Sequence, residues 1–231
     1  MAGETGQLSR RHFVVAALAA SVAGCDQTVL KKPPTVQQPK DVPRLAGGLV
    51  ELNRLDPTIH LDIRYATANN FTGRQLYSQP RAFLVEPAAH ALLNAQCAAQ
   101  AVGFGLTIYD GYRPWRVTKS LWDATPPGPK RNYVANPKRG SKHNRGCAVD
   151  VTLHHLANGA LVAMPSGYDE FTVRAHRNFM DASADALKHR DLLDRVMTAA
   201  GFRGASNEWW HFDCIGWQNF PLLDVPFEEL G

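Results

Sequence analysis

Ser141-Lys142-His143-Asn144-Arg145-Gly146-Cys147-Ala148-Val149-Asp150 begins in a turn and ends in a strand. Gly146 lets the chain turn sharply. Cys147 to Leu153 then reads as a strand, with Ala148, Asp150 and Thr152 on one face and Cys147, Val149, Val151 and Leu153 on the other. One face is apolar and the other carries a carboxylate. A lone buried carboxylate is costly, so Asp150 needs a partner. His143 lies just upstream, and imidazole and carboxylate are both good zinc ligands.

A second piece lies near the C-terminus, in Glu208-Trp209-Trp210-His211. A final strand over Trp209 to Ile215 puts His211 on the same side as Trp209 and Asp213. His211 can supply a third protein ligand, which leaves the fourth position of a tetrahedral ion open. Glu208, at the start of the strand, can sit near that position without binding the metal. From there it can take a proton from water and return it to a leaving amine. Each piece alone has an ordinary reading: His143 could cap a loop, Asp150 could pair with an arginine, and Glu208 with His211 could be a surface pair. Together, in an exported chain, they point to a metal site.

The rest of the chain supplies a frame. Ile59, Leu61, Ile63 and Tyr65 alternate with polar residues, as on a half-buried strand. Pro87 to Val102 is a helix stopped by Gly103, and Leu106 to Tyr109 a short strand before the turn Asp110-Gly111. Pro114 suits the first turn of a helix toward Trp122, and Ala184 to Ala200 is an amphipathic helix closed by Gly201. Lys130 to Gly140 reads as a basic, exposed loop. Helices and strands mix without regular alternation. That predicts an α+β domain, with helices packed on a central antiparallel sheet that carries the metal site.

With 231 residues, 45% of them hydrophobic, the chain suits one globular domain. A formal net charge of +4 implies neither a nucleic-acid partner nor an acidic substrate, and no protein partner is inferred. Ser9-Arg10-Arg11-His12-Phe13 opens an apolar run to Ala23 that is shorter than the about 20 residues needed to span a bilayer. This reads as an export signal of the twin-arginine type. Val22-Ala23-Gly24-Cys25 resembles a bacterial lipobox, in which the signal is cut before a cysteine that then carries lipid. The alternative is an ordinary cleavage site beside an incidental cysteine. Pro33, Pro34, Pro39 and Pro43 hold the following segment extended. The expected organisation is an export signal over 1–24, a lipidated Cys25 and tether over 25–48, and the domain over 49–231. Acyl chains on Cys25 would hold the protein to a membrane in the periplasm or cell envelope.

Ser141-x-His143-x-x-Gly146-x-Ala148-x-Asp150, followed by Glu208-x-x-His211, resembles the zinc D-Ala-D-Ala peptidases of bacterial cell walls. Their wider clan includes carboxypeptidases, endolysins and the Hedgehog signalling domain. Three further stretches narrow the likeness: Tyr65-Ala66-Thr67 with Asn70-Phe71-Thr72-Gly73, then Asp110-Gly111-Tyr112-Arg113-Pro114, then Glu208-Trp209-Trp210-His211. These resemble D-alanyl-D-alanine dipeptidases of the VanX-like type, over about Asp56 to Phe220.

The resemblance implies hydrolysis of the dipeptide D-alanyl-D-alanine by metal-activated water, on a Hedgehog/D-Ala-D-Ala peptidase-like fold. It implies one Zn2+ per chain on His143, Asp150 and His211, with Glu208 as general base. It further implies Arg113 as the donor to the oxyanion, Ser141 as a hydrogen-bonding contact to substrate, and Asp169 as the partner of the substrate ammonium. A guanidinium is a permanent planar donor suited to an oxyanion; the alternative for Arg113 is a structural salt bridge to a carboxylate such as Asp110. Opposite charged anchors in a closed pocket would measure a dipeptide's length, because a longer peptide would bury an uncharged amide against Asp169. Two rival readings are a D,D-carboxypeptidase or other wall-peptide hydrolase with the same zinc site, and a non-catalytic, zinc-stabilised envelope-binding lipoprotein. The second has no use for Glu208 and Arg113. Lys142, Asn144 and Cys147 depart from the family's usual residues. By strand parity Cys147 and Cys214 point away from the ligand face, as buried thiols or a disulfide. Trp209 and Trp210 are expected to wall the pocket.

Overall fold

Val149, Val151 and Leu153 are fully buried in the hydrophobic core, as the period-two pattern of the central strand requires. The computed structural model describes residues 1–3 and 43–231; Cys25 and most of the export signal and of the tether lie outside the described residues. In chain order the elements are β1 (Leu49–Glu51), the single turn α1 (Leu52–Leu55), β2 (His60–Leu61), β3 (Phe83–Val85), α2 (Glu86–Gln100), β4 (Phe104–Asp110), α3 (Trp115–Ala124), β5 (Ala148–His155), α4 (Ala184–Ala199), β6 (Phe202–Gly204) and β7 (His211–Cys214). Five strands form one sheet in the order β2-β4-β5-β7-β6, and β1 pairs with β3 in a separate ribbon. Every ladder is antiparallel except β2–β4, which is parallel. The architecture is α+β, with a largely antiparallel sheet.

Helices α2 and α4 pack on each other; α2 also packs on β4, and α4 on β5 and β6. Leu92, Leu193, Val196 and Met197 seal that layer. Local signals set the helix ends. Pro87 occupies the first turn of α2, where its missing N–H costs nothing. Ser183 Oγ accepts the Ala186 N–H at 3.2 Å and caps α4.

Two strand expectations are corrected. Of the alternating run Ile59 to Tyr65, only His60 and Leu61 pair, on the sheet edge, and the chain then folds into a 3-10 turn at Arg64–Ala66. The alternation reflects the burial of Ile59, Ile63 and Tyr65 rather than a long ladder. The last strand begins at His211, because Trp209 and Trp210 form a turn before it.

Two backbone features aim the site. On β4, Ile108 faces Val151 but Asp110 faces Asp150, so one extra residue is inserted. This bulge sets Asp110, not Tyr109, opposite Asp150. After the 3-10 turn His143–Arg145, Gly146 adopts φ 63° and leads through Cys147 into β5. Its carbonyl accepts the Val85 N–H at 2.9 Å, tying the turn to the β1–β3 ribbon. A Cβ there would come within 2.6 Å of Leu49 Cδ2 and 3.1 Å of the Val85 nitrogen. Gly146→Ala therefore combines left-handed strain with a clash. It is expected to lower stability by about 1–3 kcal/mol, read from the denaturant midpoint; an unchanged midpoint would contradict this.

Candidate metal centre

The antiparallel register puts Asp150 directly opposite His211 on β7. The turn after Ser141 brings His143 over the same face. His211 Nδ1 lies 2.9 Å from Asp150 Oδ1 and 3.2 Å from His143 Nε2, and His143 Nε2 lies 3.4 Å from Asp150 Oδ1. An ion with four tetrahedral bonds of about 2.0–2.1 Å places its ligand atoms about 3.3–3.4 Å apart. Two edges of the triangle come close to that spacing, and the third is tightened by a hydrogen bond. No other group of three or more His, Cys, Asp or Glu side chains among the described residues converges in this way. The donor set, two imidazoles and a carboxylate, therefore fits a tetrahedral cation with one open position.

The groups behind the ligands fix their orientation. His143 Nδ1 sits 2.7 Å from the Gly111 carbonyl oxygen, so Nδ1 carries the proton and Nε2 faces the site. His211 Nε2 sits 2.9 Å from Asp213 Oδ1, leaving Nδ1 for the site. Tyr168 donates its hydroxyl to Asp150 Oδ2 at 2.9 Å. Asn144 is fully buried and donates to the Arg113 carbonyl and to Thr118 Oγ1, both at 2.8 Å, which fastens the His143 turn to α3.

The electrostatics follow from this packing. Burial alone would raise the Asp150 carboxyl, but the imidazoles of His143 and His211 outweigh it and hold it below the usual carboxylate range. Burial lowers His211, yet its bonds to Asp150 and Asp213 push it up to about 10. Glu208 is pushed up to about 7, chiefly by burial, with the His211 charge opposing and the Asp150 charge adding. Among the described residues its carboxylate accepts no hydrogen bond.

All seven residues singled out for the site in the sequence (Arg113, Ser141, His143, Asp150, Asp169, Glu208 and His211) line one cavity of about 750 Å³. Ser141 Oγ accepts the His143 N–H at 3.2 Å. Asp169 takes the Tyr65 hydroxyl at 2.9 Å and adopts φ 56°, the one left-handed non-glycine residue described. Burial and the nearby Asp150 charge raise its carboxyl well above the ordinary range. Arg113 makes the pairing with Asp110, at 2.6 and 2.9 Å, and also faces the cavity 3.8 Å from Asp150. Trp210 lines the cavity, whereas Trp209 does not: its indole N–H is held by Ser166 Oγ at 2.9 Å. Cys147 and Cys214 are buried free thiols behind the site. Asp110 was foreseen in the sequence only as a salt-bridge partner of Arg113, and Tyr168 and Lys142 had no signature as site residues, since nothing in their spacing ties them to the ligands.

An open cation position beside a carboxylate raised toward neutrality is the arrangement of a metal-dependent hydrolase. A model of the D-Ala-D-Ala dipeptidase family (Peptidase_M15) matches residues 46–228, and the chain belongs to that family of peptidases. The chain is 38% identical to the D-alanyl-D-alanine dipeptidase of Escherichia coli K12 over 179 residues, covering 78% of this chain and 91% of the relative. It is 32% identical over 202 residues to the dipeptidase of Enterococcus faecalis V583, covering 80% and 96%. It is 34% identical over 182 residues to that of Enterococcus faecium, covering 71% and 90%.

The raised Glu208 has a consequence for stability. In the metal-free fold its pKa of about 7 exceeds the ordinary 4.5, so the folded chain holds a proton that the unfolded chain releases. That contribution is complete below pH 4.5 and lost as pH rises through about 7. Metal-free Glu208→Gln is therefore expected to exceed the parent in stability at pH 8 by about 1–2 kcal/mol, allowing for solvent screening. The two should converge near pH 4.5 in parallel denaturation curves. A constant difference across pH would refute this origin.

Proposed function

We propose that the protein hydrolyses D-alanyl-D-alanine with one zinc ion held by His143, Asp150 and His211. The observation that carries this reading is the convergence of Nε2, Oδ1 and Nδ1 of these residues beside the Glu208 carboxylate, which accepts no hydrogen bond among the described residues. Family membership and the dipeptidase relatives support the substrate. When bound, zinc supplies Lewis acidity, acidifying water and polarising the scissile carbonyl.

The chain's own residues do the rest. Glu208 takes the proton of the attacking water on its carboxylate, which burial has made a better base than a free glutamate. It then returns the proton to the departing amine. Arg113 offers guanidinium N–H groups to the oxyanion of the tetrahedral intermediate, and Asp110 keeps the fork from swinging away. Asp169, held by Tyr65, receives the substrate ammonium, whose charge reverses the cost of ionising that carboxyl. Ser141 bonds the substrate backbone.

Glu208→Ala is expected to retain zinc and lose activity on D-Ala-D-Ala by about 10²–10⁴-fold. The parent should turn over the free dipeptide and leave an N-acylated pentapeptide intact. Full activity in Glu208→Ala would remove the proposed base, and equal turnover of both peptides would remove the length gauge and favour a carboxypeptidase.

The same reading extends to location: a signal of the twin-arginine type, Cys25 lipidated at the lipobox, and a tether that holds the enzyme to a membrane of the cell envelope, where it meets wall-derived peptides. The Cys25→Ser protein should then be released by a high-salt wash of membranes, and retention would count against the anchor.

A further inference from the structure

The three candidate ligands come from three separate places. Asp150 and His211 sit on β5 and β7, whose ladder fixes their spacing. His143 sits on a turn outside the sheet. The residue before it, Lys142, reaches across to β7, where its Nζ lies 2.5 Å from Asp213 Oδ2. The other oxygen of Asp213, Oδ1, lies 2.9 Å from Nε2 of His211, and the Nδ1 of that ring faces the site. The backbone of Lys142 is fixed too, since its carbonyl accepts the Cys147 N–H at 3.0 Å, just before β5 begins. Its ammonium also lies 5.2 Å from the centre of the Trp217 ring.

These contacts close a circuit from the His143 turn, through Lys142 and Asp213, to His211 and back across the site. The geometry points to Lys142 as a positioning residue of the metal centre. A carboxylate with one oxygen on an imidazole can rotate about its χ2 bond; an ammonium on the second oxygen stops that rotation. With Asp213 pinned, the imidazole of His211 has one orientation, and Nδ1 is presented to the cation rather than sampled. The compact ammonium suits a site where only one oxygen is available. The inference rests on the zinc reading given above.

The test measures zinc affinity by competition with a chromogenic chelator on metal-stripped protein, beside the thermal midpoint of the metal-free form. Lys142→Met is expected to weaken zinc about tenfold, within the range seen for groups behind metal ligands, with the metal-free midpoint little changed. Lys142→Arg, which keeps a cation at Asp213, should recover most of that loss. Asp213→Asn should weaken zinc at least as much, and Lys142→Met added to it should change nothing further, because the lysine acts through the aspartate. Wild-type affinity in Lys142→Met would overturn the inference. So would additive losses in the double variant, or a loss that tracks a fallen metal-free midpoint and is not restored by arginine. If the parent itself takes up no zinc, the zinc reading fails and the role of Lys142 fails with it.

Discussion

Asp150 sets a carboxylate, 3% exposed, in the middle of the central sheet, and the bulge on β4 places a second one, Asp110, directly across the ladder. Two buried anions on neighbouring strands cannot persist without positive charge and hydrogen-bond donors around them. Arg113 bridges the pair, at 2.6 Å from Asp110 and 3.8 Å from Asp150. His143 lies 3.8 Å from Asp110 and 3.4 Å from Asp150. Tyr77 donates to Asp110 at 2.7 Å and Tyr168 to Asp150 at 2.9 Å. The same requirement that keeps the fold intact gathers the residues a hydrolytic site needs: a fixed guanidinium, two oriented imidazoles and room for a cation.

Around this pair the donors and acceptors alternate in layers. Asp110 steadies Arg113, Asp213 steadies His211, the Gly111 carbonyl steadies His143, and Tyr65 steadies Asp169. Each of these four groups facing the cavity or the metal position has a partner behind it. Glu208 differs: its carboxylate accepts no hydrogen bond among the described residues. As the proposed base, it would gain and lose a proton in each cycle, which works best without a partner that favours one state.

The fold class was legible in the mixed order of helices and strands, and four of the seven cavity residues, His143, Asp150, Glu208 and His211, in short-range patterns: period two along β5, the sharp turn at Gly146, and the Glu208-x-x-His211 spacing ahead of the last strand. The family likeness added Arg113, Ser141 and Asp169, which no local rule ties to the ligands. What escaped depends on long-range register. The bulge at Tyr109 has no proline or glycine to announce it, so the pairing of Asp110 with Asp150 could not be read. Tyr168 reaches Asp150, and Tyr65 reaches Asp169, from segments far apart in the chain. The run from Ile59 to Tyr65 has a strand's alternation, yet only its edge position, invisible in the sequence, determines that two residues pair. Trp209 and Trp210 have the same chemistry, and only the turn before β7 sends one to the cavity and the other to Ser166.

The pairing of Asp150 with His211 also bears on how the chain finds its fold. A slip of one residue between β5 and β7 would turn one of these side chains to the opposite face, among the buried valines. The carboxylate and the imidazole then could not meet, and no cation could be held. A bound ion would stabilise only the correctly registered sheet, by mass action on the native state alone. The metal centre would thus act as a proofreader of strand alignment, adding to the penalty that the buried apolar face already sets on a slipped register.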